Sequence, residues 1–131
     1  MLQAEELRTL SQARLDHAQQ CLQSAKALLS CSDYRGAANR SYYAVFHAMR
    51  AVLALDGIDM KHHSGIISEF RRLYIKTGKL DMQLSDIIQE QSETRTSSDY
   101  DDFFVLSNHE VEEQIAGAEK FLGAISAFLQ S

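Results

Sequence analysis

No proline interrupts this chain, and its 131 residues include only six glycines. Proline breaks helix interiors, and loop-rich β folds need turn residues at short intervals. A chain without such punctuation is suited to long helices joined by short connections. Its 45% apolar and 24% charged residues suffice for a core in one ordinary domain, residues 1–131. No alternating strand pattern and no internal repeat occurs. The fold expected is all-α, an antiparallel up-and-down helical bundle of four to five helices.

The apolar periodicity places the elements. Residues 3–30 repeat Leu7, Leu10, Leu15, Ala18, Leu22, Ala25 and Leu29 at helical spacing, and Ser30-Cys31-Ser32-Asp33 breaks the pattern with capping residues. A second helix is expected from Asp33 to Leu55. Tyr42, Val45, Phe46, Met49, Val52 and Leu53 form one stripe on it, while Ala37, Ala44, Ala48, Ala51 and Ala54 keep other faces small. Such a helix is either the centre of a bundle or part of a subunit interface. Asp56-Gly57 signals a turn. A third helix is expected over 64–76 with Gly78 as its stop, and a fourth over 82–95. The segment TSSDYDDFFVLSN reads as an ordered loop. The last helix opens on the capping box Ser107-x-x-Glu110.

The formal charge of −5 argues against a sequence-indifferent nucleic-acid binder, which carries an excess of Lys and Arg. A nucleic-acid role here requires a local site, or one built from two chains. Cys21 and Cys31, without CxxC spacing, read as free thiols of a reducing compartment. No signal-peptide pattern and no apolar run near ~18 residues appears. The location expected is the cytoplasm, with no membrane partner.

One stretch of the second helix carries candidate chemistry. In RSYYAVFHAM, Arg40 and His47 are seven residues apart, which rotates a helix by about 700° and so returns to within ~20° of the same face. The two lie ~10.5 Å apart along the axis, with Tyr43 and Ala44 between them. The guanidinium fork matches phosphate oxygens, and the imidazole moves a proton near neutral pH. Together they supply what metal-free RNA cleavage requires: a base for the 2′-OH and a cation for the charge growing on the phosphoryl oxygens. Ala44 would leave room for the phosphodiester. Spacing alone also fits a paired arginine and a structural histidine.

The words AANRSYYAVFHAMRAVL, KHHSGIISEF and RTSSDYDDF, in that order, resemble the HEPN family of helical domains. The likeness covers nearly all of the chain after the first helix. Its most diagnostic element is an Arg followed by four to six residues and a His, here Arg40 and His47 with six between. The resemblance implies a helical bundle that forms a homodimer, and a metal-independent ribonuclease with the Arg and His of both subunits in an interface cleft. It also implies a toxin whose antitoxin partner is a separately encoded minimal nucleotidyltransferase. On that basis Arg40 takes the phosphate-binding role and His47 the proton-transfer role, with no cofactor. Ser41, Tyr43 and His63 are the candidate RNA- or nucleotide-binding residues around them. Dimerisation would also account for the alanine face of the second helix.

Two departures stand out. Ser41 occupies the position after the arginine where active members carry Asn or Asp, and "HAM" replaces the tyrosine that follows the histidine in better-studied toxins. The alternative is a non-catalytic nucleotide- or RNA-binding adaptor that docks a nucleotidyltransferase.

The remaining candidates have plainer readings. Tyr42 lies on the core stripe. Tyr43 can stack on a base or hydrogen-bond a phosphate, or be an interface tyrosine. His63 can cap its helix or line the cleft. His47, His62, His63 and His109 lack the spacing of a zinc site, so no metal is expected. Asp99, Asp101 and Asp102 could suggest Mg²⁺ or a docking surface for a basic partner. The favoured reading of that segment is a loop locked by an Arg95–Asp pair, with Tyr100 packed on the bundle.

Overall fold

A computed structural model describes residues 3–131. Five helices follow in order: α1 (Ala4–Ser30), α2 (Tyr34–Ala54), α3 (His63–Phe70), α4 (Gln83–Tyr100) and α5 (Asn108–Gln130). The last turn of α3 widens over Arg71–Ile75, where the Lys76 amide donates to the Arg71 carbonyl five residues back, at 2.9 Å. No strand occurs among the described residues, and none of their helices is long and apolar enough to cross a membrane.

The expected punctuation is present. The Asp33 carboxylate accepts from the Gly36 amide at 2.9 Å and starts α2. Ser107 and Glu110 form the reciprocal capping box of α5, both bonds 3.1 Å. Gly57 and Gly78 take positive φ in the turns that follow α2 and α3, where a side chain would strain the backbone.

Helix α2 is the centre of the molecule. Tyr42, Val45, Met49, Val52 and Leu53 are buried, and so are Ala37, Ala44, Ala48, Ala51 and Ala54. The alanine face therefore needs no second subunit to cover it. Small side chains let neighbouring backbones approach closely, and of the elements around α2 it is α1 that packs along it most extensively. Ala44 is fully buried, so the room beside it is filled by protein and is not open to a ligand.

Two side chains of α1 fix how it sits on α2. The Ser11 hydroxyl donates to the Ala51 carbonyl at 2.6 Å, and Arg14 donates to the Arg50 carbonyl at 3.2 Å. Ala51 is among the last residues of α2, whose carbonyls lack helical partners and need outside donors.

The acidic segment differs from expectation. Helix α4 runs on through Ser98 to Tyr100 and does not loop out after Arg95. Arg35 of α2 is the reason. Its guanidinium donates to the carbonyls of Ser98, Asp101 and Phe104 (the last two at 3.1 and 2.6 Å), capping the helix end and fastening the turn beyond it. The Arg95–Asp99 pair forms at 3.0 Å within the helix. Tyr100 does not pack on the bundle; it is 78% exposed, and Phe103 and Val105 are exposed with it.

Ser41 is fully buried. It lies 3.0 Å from Gln91 Oε1 and 3.1 Å from the Gln114 carbonyl, and Gln91 Nε2 donates to the same carbonyl at 2.6 Å. The serine thus joins α2 to α4 and α5 through a buried polar contact. Replacing it leaves a buried acceptor without its donor. Ser41→Ala is expected to lower the unfolding free energy by about 1–3 kcal/mol, measurable as a shifted urea midpoint with unchanged slope.

Candidate active site

Four helices contribute to one aromatic and cationic face. Helix α2 supplies Arg40, Tyr43, His47 and Arg50, all partly buried. The Arg40 guanidinium lies 4.9 Å from the centre of the Tyr43 ring. The Tyr43 ring lies 5.9 Å from that of His47. The three therefore form a continuous row along α2, as helical spacing requires. Arg40 donates to the Asn39 side-chain oxygen at 3.1 and 2.8 Å. It makes no ion pair among the described residues, so its charge is not neutralised by a carboxylate.

His17 of α1 stacks on His47, with ring centres 4.0 Å apart and planes inclined by 21°. Cys21, one turn further along α1, is buried beside them. His63, at the start of α3, stacks on Phe46 at 4.1 Å, and its Nδ1 lies 3.0 Å from the Tyr42 hydroxyl. Arg95 of α4 sits over the Tyr42 and Tyr43 rings at 5.1 and 5.8 Å. Cation–aromatic contacts of this kind orient a guanidinium without consuming its charge.

Arg50, three residues after His47, points its guanidinium at His47 Nδ1 at 3.3 Å. Guanidinium only donates, so Nδ1 is the acceptor and the neutral ring carries its proton on Nε2. Asp59 steadies Arg50 from the far side at 3.5 Å and Arg14 at 3.3 Å.

These surroundings decide the charge of the imidazole. Burial removes His47 from water, and His17, Arg50, Arg40 and His63 each oppose a further positive charge; its pKa falls to about 4. His63 is also lowered, by burial and then by Arg95 and Arg50. Burial pushes the Cys21 thiol up, partly offset by the nearby Arg40. The face therefore holds a neutral His47 among fixed cations, a setting that favours an anion and keeps the imidazole able to accept a proton.

The structure brings Arg40, Tyr43 and His47 together and places His63 at the edge of the same face. It does not bring Ser41, whose hydroxyl points into the core and is unavailable to a nucleotide. His17, Cys21, Arg50 and Arg95 belong to the face and were not singled out for it by sequence reasoning. Arg50 could have been found as the i+3 neighbour of His47, and His17 with Cys21 as an i, i+4 pair. Nothing local says that this pair faces His47.

The family model described as HEPN domain matches residues 11–127. A UPF0332 protein from Thermotoga maritima is 34% identical over 113 residues, covering 86% of each chain. Two Methanocaldococcus jannaschii proteins are each 30% identical to this chain. The one named "Putative toxin MJ0142" matches over 117 residues, 89% of this chain and 80% of its own. The one named "Putative toxin MJ0605" matches over 126 residues, 96% and 93%.

The His47 environment makes a pH prediction. Its folded-state pKa of about 4 lies below the ordinary 6.5, so between these values the unfolded chain binds more protons. The resulting stability is present in full above about pH 6.5 and is lost as pH falls toward 4. The expected NMR titration midpoint of the His47 ring in the free chain is near 4; a midpoint near 6.5 would show that neither burial nor the surrounding cations act on it.

Proposed function

The chain belongs to the HEPN domain family, and on that premise we propose that it is a metal-independent RNA endonuclease, the toxin of a toxin–antitoxin pair. It acts as a homodimer whose Arg40–His47 faces meet in one cleft. The observation that carries this reading is Arg40: a partly exposed guanidinium, held over Tyr43, with no carboxylate partner among the described residues, on the same helix face as a neutral His47.

In this reading Arg40 from both chains binds the non-bridging oxygens of the scissile phosphate. Tyr43 stacks on an adjoining base, and His63 borders the cleft. As Arg50 turns from His47 Nδ1 to the phosphate, Nδ1 takes the proton of the 2′-OH while that oxygen attacks phosphorus, and the imidazolium gives up a proton to the departing 5′-oxygen. The products are a 2′,3′-cyclic phosphate and a 5′-hydroxyl end. Phosphate in the cleft offsets the charges of Arg40 and Arg50, so the His47 pKa rises from its free value toward the range where acid–base exchange is efficient. The partner that restrains the enzyme is a separately encoded minimal nucleotidyltransferase, the antitoxin. Two M. jannaschii relatives bear the word toxin in their names.

One observation favours a second reading, a non-catalytic RNA- or nucleotide-binding adaptor that docks a nucleotidyltransferase. The residue after Arg40 is a buried serine, so no polar group from that position assists the arginine.

Cleavage of RNA by the purified chain in EDTA separates the two. The expected result is cleavage to cyclic-phosphate ends, reduced by about 10²-fold or more in His47→Ala, as for loss of a general base, and comparably in Arg40→Ala, as for loss of a charge-stabilising donor. RNA binding without cleavage, weakened by Arg40→Ala, would establish the adaptor instead.

A further inference from the structure

The geometry points to a metal site that shares His47 with the RNA-cleaving reading and adds two residues that reading does not use: His17, Cys21 and His47 form a three-ligand site for a zinc-class divalent cation. Each offers one ligand atom, and the three atoms lie within 4.8 Å of one another. In a tetrahedral zinc site with Zn–S near ~2.3 Å and Zn–N near ~2.0 Å, ligand atoms stand about 3.3–3.6 Å apart. The two imidazoles stack face to face, so to hold one ion each ring must turn about its side-chain bonds until its in-plane lone pair meets the other ligands.

The arrangement has the parts that such a site needs. His17 and Cys21 are one turn apart on α1 and so share a face. Helix α2 brings His47 opposite them, ring on ring at 4.0 Å. The thiol is 3% exposed and sits at the floor, while His17 is exposed at the rim, so an ion can enter from solvent and keep a water as its fourth ligand. One sulfur and two imidazoles select zinc or a similarly soft ion over Mg²⁺ or Ca²⁺, which require oxygen donors. On binding, Cys21 gives up its thiol proton to solvent, and the thiolate neutralises one charge of the cation. His47 Nδ1 is engaged by Arg50, so Nε2 is the nitrogen free to turn toward the ion. It must then surrender its proton to Nδ1, and Arg50 must withdraw to Asp59, which it already touches. Arg40 and Arg50 oppose the incoming cation, which makes this a reversible site and not a structural one. Occupancy would remove His47 from proton transfer, so zinc would hold the face silent.

Cobalt absorption tests this independently of RNA cleavage. The reduced full-length chain, stripped of metal, is titrated with Co²⁺. Expected are the intense visible bands of a tetrahedral ion and a near-ultraviolet sulfur-to-cobalt band, both abolished by one equivalent of Zn²⁺. The sulfur band disappears in Cys21→Ser and persists in Cys31→Ser, whose thiol is exposed elsewhere. His17 is on the surface, so His17→Ala leaves the core intact; it is expected to weaken Zn²⁺ binding at least about tenfold, the smallest loss seen for even an outer-shell partner. Absence of tetrahedral bands in the wild type, or bands unaffected by both His17→Ala and Cys21→Ser, overturns the assignment.

Discussion

The packing of α1 along α2 is the constraint on which the rest of the structure depends. Alanines at 37, 44, 48, 51 and 54 carry no bulk to hold the helices apart. Ser11 and Arg14 then bond to carbonyls at the end of α2 and fix the register between the two helices. That register alone sets His17 against His47 and Cys21 beneath them. A shift of one residue along either helix would turn the imidazole away by about 100° and dissolve the cluster. The chemistry of the face is thus a consequence of close helix packing.

Electrostatics gives the face its character. The chain is acidic overall, yet Arg40, Arg50 and Arg95 converge around His47 and Tyr43. Two of the three have a carboxylate near them: Asp59 for Arg50 and Asp99 for Arg95. Arg40 has none among the described residues. An uncompensated guanidinium beside a neutral imidazole prefers an anion, and a phosphodiester supplies the charge that the protein withholds. Burial depresses His47 first and the same cations add to it, so an anion that offsets those cations couples binding to proton transfer.

Much of this was legible in the sequence, for identifiable reasons. Helical periodicity and capping residues are local signals, so α1, α2 and α5 fall where the pattern puts them. The Arg40–Tyr43–His47 row follows from spacing on one helix. The family likeness carried by HSG and SDYDD agrees with the matched HEPN domain. What was not legible depends on distant contacts. Thr96 to Tyr100 is helical because Arg35, far away in the chain, caps that end. Ser41 reads as a polar neighbour of Arg40, but its side chain points inward to Gln91 and Gln114. His17 and Cys21 carry no signal until the α1–α2 register is known. The alanine face was open to two readings, and only tertiary packing buries it within the chain.

The central claim is that Arg40 and His47 of two chains serve one cleft. Its most direct test is complementation between inactive chains: Arg40→Ala and His47→Ala subunits are mixed, and mixed dimers are confirmed by native mass spectrometry. A shared cleft predicts that the mixture regains RNA cleavage well above either variant alone, because one intact arginine and one intact histidine still meet. Confirmed mixed dimers with no more activity than the separate variants would contradict it.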